Sequence, residues 1–146
     1  MAFNIVVGYE GSDGSKAALD EGLRIAGLTR GKVFITYAFG GPKTYSGAPL
    51  TPRRALKELG EQLLEEATAH ASGSGVSFEA VLVEDSAASG LLAVARRHHA
   101  EMIVVGTHGE SPLRGALLGS TAYKLVHTSS KPVLVMPAAK RARAAA

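Results

Sequence analysis

The chain has 146 residues, 46% of them apolar, with 16 basic and 13 acidic side chains and no cysteine or tryptophan. That is enough for one packed core without staples, and it excludes disulfides, thiolate metal sites and thiol nucleophiles. No apolar run approaches the roughly 18 residues of a membrane span, and Met1-Ala2-Phe3-Asn4-Ile5 lacks the basic segment of a secretory leader, so a cytoplasmic globular protein is expected.

The first apolar run, Ile5-Val6-Val7, is β-branched throughout and reads as a strand buried on both faces. Residues 13–28 then place Ala18, Leu19, Gly22, Leu23, Ile25 and Ala26 at helical spacing. Val33-Phe34-Ile35 is a second strand. The Gly- and Pro-rich loop 40–51 that leaves it is either a mobile cover carrying Lys43 and Tyr45 or a plain surface loop. Thr51-Pro52 is an N-cap followed by proline at the first helical position. The helix it opens carries Leu56, Leu59, Leu63 and Ala67 as one stripe and ends at Ser72-Gly73-Ser74-Gly75.

Val76 to Ala80 alternates and runs into Val81-Leu82-Val83, which suits a strand with one face or edge in water. Asp85 or Ser86 caps a third helix with Leu91, Leu92 and Ala95. Its end carries His98-His99, whose side chains point about 100° apart on a helix and make a poor metal pair. Met102 to Val105 is a fourth strand, and 120–128 a fourth helix stopped by Ser129, Ser130 and Pro132. The last strand, Val133-Leu134-Val135-Met136, is apolar throughout. At a sheet edge it needs a cover, from a second copy of the chain or from its own helices. Lys140, Arg141 and Arg143 follow with no acid beside them. Residues 139–146 are therefore expected to be a basic, disordered tail and residues 1–138 a single domain. With the charge in a tail and only 5% aromatics, nucleic acid is not the expected partner. The element pattern is β-α-β-α-β-α-β-α-β, an α/β three-layer sandwich with right-handed crossovers.

The most specific feature is Gly106-Thr107-His108-Gly109, nine residues, then Gly119-Ser120. It leaves the carboxyl end of the fourth strand and stops where the fourth helix starts. Glycines allow close backbone approach. Free amides and the positive dipole end at a helix start favour phosphate oxygens. The pattern is neither a P-loop nor a dinucleotide fingerprint: no Gly-x4-Gly-Lys occurs, and Gly8-x2-Gly11-x2-Gly14 has the wrong spacing. Within the loop, Arg114 either balances phosphate charge or faces solvent, and His108 reads first as an ordinary loop side chain and second as a base or phosphate donor.

These pieces resemble the universal stress protein family over about residues 3–137. Gly106-x2-Gly109-x9-Gly119-Ser120 is similar to the signature of its ATP-binding branch. Ile5-Val6-Val7-Gly8-Tyr9-Glu10-Gly11-Ser12 resembles its first strand and turn, and Lys131-Pro132-Val133-Leu134-Val135-Met136 its last strand. The resemblance implies a Rossmann-like, adenine-nucleotide alpha-hydrolase-like fold with a five-stranded parallel sheet of order 3-2-1-4-5. It also implies homodimers through the fifth strand and ATP at the strand carboxyl ends, bringing Mg2+ with it. Carried over by position, Gly109, Gly119, Ser120 and Thr121 would meet the phosphates, and Gly106 the ribose and phosphate region. Val105 would flank the nucleotide, Gly8 and Tyr9 would lie beside the base, and Ala38 would meet adenine through its backbone. Glu10 stands where the family commonly has Asp, and its extra methylene moves the carboxylate by about 1.5 Å.

The function so implied is that of an ATP-binding stress or regulatory protein. A slow ATPase or autophosphorylating enzyme using the same pocket is the second reading, and a nucleotide-independent interaction module the third. No organised triad or side-chain metal set accompanies the glycines, so neither catalytic residues nor a protein-held metal are expected, and efficient phosphoryl transfer is not.

Overall fold

The computed structural model describes residues 2–40, 53–108 and 118–138. The elements are β1 (Ile5–Gly8), α1 (Asp13–Thr29), β2 (Lys32–Phe39), α2 (Arg53–Ser72), β3 (Ser77–Glu84), α3 (Ala87–Arg97), β4 (Met102–Gly106), α4 (Ser120–Thr128) and β5 (Val133–Met136). The five strands form one parallel sheet in the order β3-β2-β1-β4-β5. Ile5 pairs with Val33 on one side and with Met102 on the other. The order runs outward from β1 in both directions, so the first and second halves of the chain diverge between β1 and β4.

Both faces of the sheet are covered, which is why its central strands can be apolar at every position. Ile5 and Val7 pack with α1 and α2 in one core, around Leu19, Leu23, Leu64 and Ala67. Val6 points the other way, into a core with Leu91, Val94, Ile103 and Leu125 of α3, β4 and α4. Removing such a side chain from water contributes about 1.5–3 kcal/mol each.

Local signals set the helix ends. Ser12 caps α1 by accepting from the Ser15 amide at 3.2 Å, and Asp13 complements the dipole in the first turn. Ser86 is the N-cap residue of α3, and α4 begins and ends where its glycine and serines place it. Thr51 and Pro52, read as the start of α2, lie outside the described residues. The α2 stripe is shifted from expectation: the buried positions are Gly60, Leu64, Ala67 and Ala71, while Leu56 and Leu63 are only partly buried. Leu59 is 45% exposed. The reason is a close crossing, since a Cβ on Gly60 would stand 2.5 Å from the Tyr37 ring, so the helix rests on β2 at its glycine. His98 finds a packing role, stacked on Phe34 at 4.0 Å, and the expected basic tail, 139–146, lies outside the described residues.

Candidate functional site

A concavity of about 420 Å³ opens at the carboxyl ends of β1, β2 and β4, where the strand order diverges. Open α/β sheets place their ligand crevices at such a point. Nine positions named from sequence line it. Gly8, Tyr9 and Glu10 come from the end of β1, Ala38 from β2, Val105 and Gly106 from β4, and Gly119, Ser120 and Thr121 from the start of α4. Gly109 and Arg114, together with Lys43 and Tyr45, lie outside the described residues.

The β1 side is stiff. The Tyr9 amide donates to the Thr36 carbonyl at 2.9 Å, carrying the β1–β2 ladder one residue past the strand. Gly11, at φ +90°, then turns the chain. Ser15, fully buried, ties the turn together: its hydroxyl accepts from the Gly11 amide at 3.1 Å and donates to the Ser12 carbonyl at 2.9 Å. The Ser12 hydroxyl donates to the Glu10 carboxylate, which fixes the one carboxylate among the described lining residues. Tyr9 is 4% exposed. Its burial, with the negative charges of Glu66, Glu10 and Asp20, holds the phenol above its ordinary pKa.

The opposite wall is backbone. Thr107 is anchored to β5 through its amide, which donates to the Met136 carbonyl at 2.9 Å. Gly119 donates to the Thr107 carbonyl at 2.6 Å and is the N-cap of α4. The N-cap residue of that helix is thus a glycine, and among the described residues no side-chain cap bond is made there, in contrast to α1. Its first-turn amides and the Ser120 and Thr121 hydroxyl positions therefore border the cleft at the positive end of the helix dipole. An anion with several oxygens fits such a wall, and an adenine-sized ring fits the apolar remainder formed by Val105, Leu91 and Ala38.

Sequence reasoning did not pick Thr36, Tyr37, Ala87, Leu91, Thr107, Leu118 or Ala122, and it read His108 as an ordinary loop residue. All line the cleft. Thr36 had a signal, since it sits opposite Gly8 in the parallel register. Ala87 and Leu91 had none, because their place depends on how α3 crosses the sheet.

The chain matches the model of the universal stress protein family over residues 1–137. A universal stress protein of Thermus aquaticus is 31% identical over 140 residues, covering 93% of this chain and 99% of its own. Among solved structures, a universal stress protein family member from Burkholderia pseudomallei superposes with a TM-score of 0.74 at 29% identity, over 93% of this chain and 96% of its own. A universal stress protein in complex with cAMP gives 0.73 at 27% identity, over 94% and 99%.

Proposed function

The chain belongs to the universal stress protein family, and from that premise we propose that it is a member of the ATP-binding branch with a stress or regulatory role. The nucleotide occupies the cleft at the ends of β1, β2 and β4. The single observation that carries this reading is the wall made by Gly106, Gly119, Ser120 and Thr121 facing Gly8, Tyr9, Glu10 and Ala38 across one hollow at the divergence of the strands. The cAMP complex of a 27% identical relative supports an adenine ligand.

Val105, Gly8, Tyr9 and the Ala38 backbone hold the base, and Glu10 accepts from the ribose. The α4 amides with Ser120 and Thr121 hold the phosphates, joined in the loop by Gly109 and Arg114. Mg2+ would arrive with the phosphates, and no cluster of three or more acidic or histidine side chains that could hold it occurs among the described residues. Among the described residues Glu10 is the lone carboxylate at the cleft. Occupancy acts through a homodimer formed along β5, in the cytoplasm. No helix among the described residues is long and apolar enough to cross a membrane.

A thermal melt of nucleotide-free protein tests this. At a hundred times its dissociation constant, Mg-ATP should add about 2.7 kcal/mol, a rise in Tm of roughly 5–15 °C for a domain of this size. NAD is expected to give no such rise. A flat Tm with every adenine nucleotide at millimolar concentration overturns the reading and favours the interaction module.

A further inference from the structure

Two stretches of bare backbone meet beside the cleft. Gly14, in the first turn of α1, lies against the segment 106–108 that forms the cleft's backbone wall. A Cβ on Gly14 would stand 3.3 Å from both the Gly106 Cα and the His108 carbonyl oxygen. A Cβ on Gly106 would stand 2.7 Å from the Gly14 carbonyl carbon. The same segment also bears on Gly119, whose own Cβ would meet the Thr107 carbonyl oxygen at 2.9 Å. Residues 106–108 thus meet the backbone at the starts of two helices, α1 at Gly14 and α4 at Gly119.

Gly14 does not line the cleft, nor does Ser15 beside it. Yet this first turn is locked to the Glu10 side, through the Ser15 hydroxyl on the Gly11 amide and the Ser12 hydroxyl on the Glu10 carboxylate. One rigid knot, residues 10–15, therefore holds Glu10 with one end and sets the seat of the 106–108 segment with the other.

We propose that Gly14 is a positioning residue: the absence of its side chain sets the depth of the 106–108 segment, and through it the place of the α4 amides that receive phosphate oxygens. This rests on the nucleotide reading above. Extra bulk at Gly14 must move the segment by a few tenths of an ångström. Hydrogen bonds to a charged oxygen are the contacts most sensitive to such a shift. The base pocket, built from Val105, Leu91 and Ala38, supplies none of the three atoms nearest a Cβ on Gly14.

The test is Gly14→Ala, with Gly27→Ala as control. Both lie in α1, where alanine is the better helix former, and a Cβ on Gly27 meets only Val76 at an ordinary 3.6 Å. Calorimetric titration of each protein with ATP and with adenosine gives the readout. Gly14→Ala should weaken ATP about tenfold or more, the loss expected from one impaired charged hydrogen bond, and weaken adenosine markedly less. Gly27→Ala should bind both as wild type does. Wild-type affinity for ATP in Gly14→Ala overturns the proposal, and so does an equal loss for ATP and adenosine, which signals general damage. The ratio of the two affinities decides the matter even if the variant melts lower. Failure of the wild-type protein to bind ATP overturns the nucleotide reading itself, and the positioning role with it.

Discussion

Tyr9 stands between two hollows, the nucleotide-sized cleft and a smaller groove of about 260 Å³ bordered by Lys16, Asp20, Glu66 and His70. Burial first, then the carboxylates of Glu66, Glu10 and Asp20, raise its pKa above the ordinary 10.0. The neutral phenol is therefore favoured in the folded state. Its contribution to stability is present in full below pH 10 and is lost as pH rises through the raised folded value, because the unfolded chain ionises first. Tyr9→Phe lacks that component. In urea unfolding between pH 9 and 12, the midpoint of wild type is expected to fall more steeply than that of Tyr9→Phe, and parallel curves would contradict the assignment. Single residues also show where sequence reading stops. The glycines at 106 and 119 are singled out by their spacing, and both line the cleft. Their immediate neighbours, however, are Gly14 backbone for one and the Thr107 carbonyl for the other. Spacing along the chain cannot report which distant backbone will press on a glycine.

The fifth strand is the apolar edge of the sheet. Its four residues are all only partly buried, although Leu134 and Met136 pack toward α1 and Val133 and Val135 toward the α3–α4 core. Tyr123 and Val126 of neighbouring α4 are exposed at 57% and 43%. An apolar edge strand in this state is a template for pairing. Val135→Asp is expected to reduce the sedimentation coefficient to that of a monomer with far-UV dichroism retained; unchanged, dimeric sedimentation would remove β5 from the interface. At this level most of the pattern was readable. Runs of β-branched residues marked the strands, and α4 was bounded by Gly119 and Ser129 as expected. The face of α2 was not, because Leu56, Leu59, Leu63 and Leu64 offer two overlapping stripes. The choice between them was made by the close approach of Gly60 to Tyr37.

Taken whole, the fold turns one topological fact into a site. Starting the sheet at its centre and building outward first through β2 and β3, then through β4 and β5, leaves the ends of β1 and β4 with their connections going opposite ways. The gap holds Gly8 to Glu10 on one side and the start of α4 on the other. The alternation of strands and helices made the layers legible from sequence, and the order of the strands came through family resemblance. The α3 wall, Ala87 and Leu91, emerged only from the packing of that helix over the sheet. The binding site is best examined by titrating 15N-labelled, nucleotide-free protein with Mg-ATP and following every amide. Saturable shifts should concentrate at Gly8 to Glu10, Val105 to Thr107 and Gly119 to Ala122. Amides at the far end of the sheet, such as Glu101 and Lys131, should stay in place. Shifts centred on that far end, or none at any site at millimolar ATP, would contradict a nucleotide cleft at the carboxyl ends of the strands.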